Sequence, residues 1–229
     1  MLRESEAKRA AFLPYYEKEL KHLSEKKPEF FNQKLETMYF GGGTPSLLGP
    51  EHLAGLLQLI RGCFEVSANA EISLEANPND LLGDKPNAFH QLGINRLSIG
   101  VQSLNDAELK TLGREHSAKQ AEEAIQNIKK SGHENFNIDL IFGVPGQTAA
   151  SWRQTLEQAI KWQPAHISTY SLTIEERTTF YKLQQTGKLQ LPLDELCQEM
   201  YLTGVEFLEQ RGYKQYEISN FSRPGSESR

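Results

Sequence analysis

The chain has 229 residues, 38% of them hydrophobic and 24% charged, with a formal net charge of -5. That length holds one large domain with a substantial core, and the acidic balance argues against nucleic acid as a partner, because phosphate binding calls for a basic surface. No apolar run approaches the roughly 18 residues that cross a bilayer, and the opening Met-Leu-Arg-Glu-Ser-Glu-Ala-Lys has no apolar signal segment, so the chain is not expected to be an integral membrane protein and the cytoplasm is the expected location.

Residues 4–25 have the spacing of an amphipathic helix. Residues 37–40 read as a short strand that runs into Gly41-Gly42-Gly43 and then Thr44-Pro45-Ser46. Three glycines in succession suit neither strand nor helix, since each loses more backbone freedom on folding than another residue would. Placed after a strand, they let a ligand approach bare backbone. Residues 51–63 read as a helix closing on Cys63, and 71–76 as a strand with Glu75 at its end, before Asn77-Pro78. Residues 96–101 form the next predicted strand, ending at Gln102. A helix over 118–131 follows Ser117, a suitable N-cap, and finishes on lysines before Gly132. Residues 135–142 read as a buried strand interrupted by Asp139, an acid that is costly there unless partnered. Gly143-Val144-Pro145-Gly146-Gln147 makes a second Gly/Pro-rich strand-end loop. Helices over 151–162 and 194–211 flank a strand over 166–172.

Strand, loop and helix repeated about five times indicate an α/β fold on a parallel sheet. A doubly wound open sheet and a full or partial (β/α) barrel both fit, and both put ligand sites at the carboxyl ends of the strands. Glu75, Gln102 and Asp139 collect there. The glycine run lacks the last glycine of a dinucleotide fingerprint and the Gly-Lys-Ser/Thr of a phosphate loop, and the chain has no GxSxG elbow. From chemistry alone the runner-up is an aldolase- or isomerase-like barrel for a phosphorylated metabolite, weakened by the lack of a strand-end lysine. Cys63 and Cys197 read as buried free thiols in a reducing compartment. Neither they nor the scattered His22, His52, His90, His116, His133 and His166 have metal-ligand spacing.

The segments YFGGGTPSLL, EISLEANP, LGINRLSIGVQSL, LGREHS, NIDLIFGVPGQT, HISTYSLTIEERT and GYKQYEISNFSRPG, taken in order, resemble one radical S-adenosylmethionine family. It contains oxygen-independent coproporphyrinogen III oxidase and the radical SAM heme chaperones, and the wording is nearer the chaperone branch. The resemblance covers nearly the whole chain. It implies a partial TIM-like (β/α)6 barrel, a four-iron four-sulfur cluster on a CxxxCxxC loop, and S-adenosylmethionine bound to that cluster and cleaved to a 5′-deoxyadenosyl radical.

Carried over residue by residue, the resemblance implies that Gly42, Gly43 and Thr44 line the methionine end of S-adenosylmethionine. Glu75, Gln102, Arg114 and Asp139 supply its other contacts, with Thr173 a weaker match. Arg114 suits a carboxylate, whose geometry matches the guanidinium fork. The chain carries no CxxxCxxC. The family places that loop and the first strand upstream of what is residue 1 here, and a further domain beyond residue 229, so an incomplete radical SAM core over 1–229 is expected, without its cluster cysteines. Such a core, with a strand missing, is expected to expose a sheet edge. For the intact protein the resemblance implies heme or a porphyrinogen as ligand, an electron-donor protein and a heme-accepting protein as partners. The alternatives are coproporphyrinogen oxidation and a cluster-free metabolite-binding barrel.

Overall fold

A computed structural model of the chain describes residues 12–229. The first helix, α1, spans Leu13–Lys26; residues 4–11 of the helix expected there lie outside the described residues. Five parallel strands follow, β1 Lys34–Phe40, β2 Glu65–Ala76, β3 Arg96–Gln102, β4 Phe136–Phe142 and β5 His166–Ser171. They are joined through α2 Pro50–Cys63, α3 Lys85–Gln91, α4 Asp106–Thr111, α5 Ala118–Lys130 and α6 Ala149–Ala159. After β5 come α7 Thr179–Gln185, α8 Asp194–Glu209 and a hairpin of β6 Lys214–Glu217 and β7 Asn220–Ser222, whose β7 pairs antiparallel with β5.

The sheet order is β1-β2-β3-β4-β5-β7-β6. The parallel strands lie side by side in chain order with no reversal. A doubly wound sheet reverses its strand order at a switch point, so that reading is eliminated. The sheet is a curled half-barrel, the partial TIM-like form the resemblance implies. β1 has one sheet neighbour, β2, among the described residues.

The two faces of the sheet separate by side-chain alternation. Met38, Ile72, Leu74, Leu97, Ile99, Phe136, Ile138, Leu140 and Ile167 are buried in the core with Leu53, Leu57, Phe89, Ile125, Leu156 and Phe207 of the helices. Their in-between neighbours Tyr39, Ser73, Glu75, Arg96, Ser98, Asn137, Asp139, His166, Ser168 and Tyr170 line a polar hollow on the concave face. Most parallel strands are apolar on both faces; here one face is given over to polar groups, which must find partners within the hollow.

Two helix starts are fixed by reciprocal caps. Ser117 and Gln120 form a capping box at α5, and Thr148 and Ser151 form another at α6. The amino end of the barrel is tied by buried charge. Arg96 Nη1 lies 3.7 Å from Glu71 Oε2 and donates to Asn135 Oδ1 (3.2 Å) and to the Ser226 carbonyl (3.3 Å). The chain's last residues thus pack beneath the strands, away from the ends where the glycine loop lies.

Candidate functional site

Phe40 ends β1, and the chain turns through Gly42 (φ +78°) and Gly43 (φ +56°). Both torsions lie in the left-handed region that only glycine enters without strain. A side chain at either position would meet nothing within 4 Å, so the loop presents open backbone. Gly41 is different: a Cβ there would stand 2.5 Å from the Tyr39 ring and 3.2 Å from Glu75 Oε1. The loop and β2 are therefore pressed together at Gly41 and open outward at Gly42 and Gly43.

Glu75 holds the contact. Its Oε1 accepts a hydrogen bond from Tyr39 Oη at 2.6 Å and its Oε2 accepts one from the Gly42 N–H at 3.2 Å. Burial and the adjacent Glu75 carboxylate hold the Tyr39 phenol well above its ordinary pKa, so it stays a donor. Thr44 Oγ1 donates to the Gly43 carbonyl (2.8 Å) and accepts from Asn77 Nδ2 (3.4 Å). Beyond Pro45, Ser46 donates to Asp80 Oδ2 at 2.9 Å, and Lys85 donates to the Ser46 carbonyl. These bonds fasten the glycine loop to the segment after β2.

Asp139 sits deeper in the hollow. Asn137 Nδ2 donates to its Oδ1 (2.7 Å) and Ser98 Oγ to its Oδ2 (3.4 Å). Burial raises its pKa, opposed by hydrogen bonds from Asn137, Ser168 and Ser98. Burial lowers the pKa of Arg114, and the charge of Asp139 opposes that shift. Arg114, Thr44, Asn77 and Asn79 border one cavity of about 270 Å³, while Tyr39, Glu75 and Asp139 border another of about 230 Å³. Gly42, Gly43 and Thr44 border a third, more apolar cavity of about 370 Å³ with Phe40, Leu48 and His52. The glycine loop, with Glu75 behind it, is the wall between these spaces.

Gln102 is buried and has φ +68°, rare for a residue with a side chain. The Ser103 N–H donates to the Val101 carbonyl at 2.9 Å, so Gln102 is the central residue of a γ-turn of the strained, positive-φ form. Such a backbone costs about 1–3 kcal/mol and persists where its surroundings hold it. Gly100 makes room for the folded-back side chain, since a Cβ there would lie 2.9 Å from Gln102 Nε2 and 3.5 Å from Asn77 Oδ1.

Of the residues singled out in the sequence, Gly42, Gly43, Thr44, Glu75, Gln102 and Asp139 fall at the carboxyl ends of β1 to β3 or in the hollow, and Arg114 follows α4 and borders the cavity shared with Thr44 and Asn77. Thr173 is exposed past β5, its hydroxyl bonded to the Ser171 carbonyl at 3.5 Å. Sequence reasoning missed Tyr39, Asn77, Asn137 and Ser168. The alternation of polar and apolar residues along each strand marks Tyr39, Asn137 and Ser168 as facing the hollow; Asn77 carries no such signal.

His116, His133 and His166 are committed to internal bonds. His116 Nε2 lies 3.0 Å from the Val101 carbonyl, and His133 bonds Ser131 Oγ (2.8 Å) and the Ile94 carbonyl (3.0 Å). His166 bonds Asn137 Oδ1 (2.6 Å) and Tyr216 Oη (2.8 Å). Cys63 and Cys197 are free, as expected, but half-buried rather than buried. Among the described residues no helix is long and apolar enough to cross a membrane.

Residues 7–159 match the model of the Radical SAM superfamily. The chain is 38% identical over 210 residues to the "Heme chaperone HemW" of Lactococcus lactis, covering 92% of this chain and 55% of that protein. It is 39% identical over 194 residues to the bovine "Radical S-adenosyl methionine domain-containing protein 1, mitochondrial", covering 85% of this chain and 44% of that protein. Among solved structures, the coproporphyrinogen III oxidase HemN of Escherichia coli, described as a radical SAM enzyme, superposes with a TM-score of 0.85 at 28% identity, covering 98% of this chain and 51% of that one. The chain spans about half the length of the curated relatives it matches.

Proposed function

This chain belongs to the radical SAM superfamily, and on that premise we propose that it is the S-adenosylmethionine-binding part of a heme-chaperone-type protein. The observation that carries this reading is the match at 38% identity to a heme chaperone over 92% of the chain, with its glycine loop built onto Glu75. The superfamily implies S-adenosylmethionine and a four-iron four-sulfur cluster. When bound, that pair supplies reductive cleavage of a carbon–sulfur bond.

The residues present suit the sulfonium ligand. Gly42 and Gly43 offer backbone with free space above it. The half-buried Glu75 and Asp139 carboxylates accept from polar N–H and O–H groups. Arg114 pairs with the ligand carboxylate, and the Thr44 hydroxyl and Gln102 amide complete the contacts. The described residues do not suit the cluster. The chain's two cysteines stand on α2 and α8, and among the described residues no group of three or more His, Cys, Asp or Glu is placed to hold a metal. The cluster is therefore assigned to none of the described residues.

For the intact protein, heme is the proposed cargo, with an electron-donor protein and a heme-accepting protein as partners. A second reading, oxidation of coproporphyrinogen III, is favoured by the superposition on HemN. Anaerobic incubation of the intact, cluster-loaded protein with S-adenosylmethionine, reductant and either heme or coproporphyrinogen III separates them. Stable heme binding with passage to an apo-hemoprotein is expected. Conversion of coproporphyrinogen III to protoporphyrinogen would establish the second reading in its place.

A further inference from the structure

The loop after β4, Gly143 to Gln147, makes no contact with the cavities described above, yet it is tied to the loop that carries Gln102 through one buried side chain. Glu108 of α4 is 4% exposed. Ser103 Oγ donates to its Oε2 at 2.6 Å, Gln147 Nε2 donates to the same oxygen at 2.9 Å, and Ser151 Oγ donates to its Oε1 at 2.7 Å. Among the described residues it forms no ion pair. A buried carboxylate satisfied only by hydrogen bonds is a costly group to keep, and three donors from three different segments converge on it.

Each donor has a second commitment that spreads the tie. Ser103 Oγ accepts from the Asn105 N–H at 3.0 Å. Gln147 Oε1 accepts from the Val144 N–H at 3.2 Å, so the side chain that reaches Glu108 also folds the loop after β4 on itself. Ser151 is half of the capping box that starts α6. Ser103 is the residue directly after Gln102, and its own N–H closes the γ-turn that keeps Gln102 at φ +68°.

We propose that Glu108 is a positioning residue of the ligand site: its carboxylate ties the loop after β4 and the start of α6 to Ser103 and thereby holds Gln102 in its left-handed turn. The inference rests on the reading of Gln102 as a ligand contact. Glu108 itself touches no ligand-facing cavity; it acts through Ser103. Without the tie, Gln102 relaxes toward an ordinary extended backbone, and its amide leaves the space that Gly100 provides beside Asn77. A glutamine at 108 keeps one oxygen for Ser103 and Gln147 and turns its NH₂ to the Ser151 hydroxyl, which can accept. Alanine removes this acceptor from all three donors, leaving Gln147 Nε2 the Ile141 carbonyl (3.4 Å) and Ser151 Oγ the Thr148 carbonyl (3.1 Å).

The test compares Glu108→Ala, Glu108→Gln and a control, Leu156→Ala, a core truncation in α6 away from the site. Binding of S-adenosylmethionine is followed by titration of the same chain, beside amide hydrogen exchange of the ligand-free proteins. Glu108→Ala is expected to weaken binding at least tenfold and to speed exchange in 101–105 and 143–148 together. Glu108→Gln is expected to restore most of both, and Leu156→Ala to lower the melting temperature while leaving affinity near wild type. Wild-type affinity in Glu108→Ala, or a loss matched by Leu156→Ala at equal melting temperature, would overturn the proposal. If the wild-type chain does not bind S-adenosylmethionine, the functional reading fails, and the exchange arm still decides: unchanged exchange in 101–105 would refute the role of Glu108.

Discussion

Burial decides the charge of His166. Both ring nitrogens are engaged, by Asn137 and Tyr216, and burial, with the nearby Arg96, pushes its pKa down to about 4. An unfolded histidine titrates near 6.5. Between those values the unfolded chain binds the proton and the native chain does not, so stability falls as pH drops from about 6.5 to 4. One such histidine is worth on the order of 3 kcal/mol across that window. Asp139 works in the opposite sense, because its raised pKa lets the native state keep a proton the unfolded chain has lost. His133, also pushed to about 4 by burial and the adjacent His90, adds to the His166 effect. Replacing His166 with Gln, which hydrogen-bonds without titrating, should flatten the melting-temperature profile between pH 6.5 and 4. Parallel profiles for wild type and His166→Gln would show that His166 is protonated in the native protein.

At the scale of elements, α6 and α8 lean on one side chain. Trp152 is fully buried, its ring centroid 5.6 Å from that of Phe142, and its Nε1 donates to the Met200 carbonyl at 2.8 Å. Gly204 of α8 faces the indole, where a Cβ would make an ordinary contact at 3.5 Å. Trp152→Ala should cost about 3–5 kcal/mol in urea unfolding, the usual range for emptying such a site; a loss below about 1 kcal/mol would mean that the two helices do not depend on this contact. Helices and strands with strong periodicity were legible in the sequence: the five parallel strands begin and end within a few residues of expectation except β2, which starts at Glu65. The short α3, α4 and α7 were not, since six or seven residues carry too little periodicity, and α3 opens on Lys85-Pro86. The β6–β7 hairpin has three to four residues per strand and is held by β5 rather than by its own pattern. Asp139 interrupts a buried run when that run is taken alone. It belongs to the inward-facing series with Asn137, and recognising that period would have brought Tyr39, Ser98 and Ser168 with it. Gln102 could be picked out as a strand end, but its γ-turn depends on Ser103, Glu108 and Gln147 meeting across 44 positions of chain, which no local pattern reveals.

At the scale of the whole molecule, the half-barrel divides its labour between faces. The convex face buries the apolar residues against helices, and the concave face gathers Glu75, Asp139 and their partners beside a loop of open glycine backbone. β1, the strand that carries this loop, is an edge of the described sheet, so the site is held by side-chain bonds from β2 and its following segment as much as by the sheet itself. The proposed role of this loop and its neighbours is to bind S-adenosylmethionine. It is tested most directly by titrating the ligand into isotopically labelled chain and following backbone amide shifts in wild type and in Gly41→Ala, where the new Cβ would be driven into Tyr39 and Glu75. Saturable shifts centred on Gly42, Gly43, Thr44, Glu75, Gln102, Arg114 and Asp139, weakened about tenfold or more in Gly41→Ala, are expected. Saturable shifts elsewhere, or none at these residues, would contradict the account.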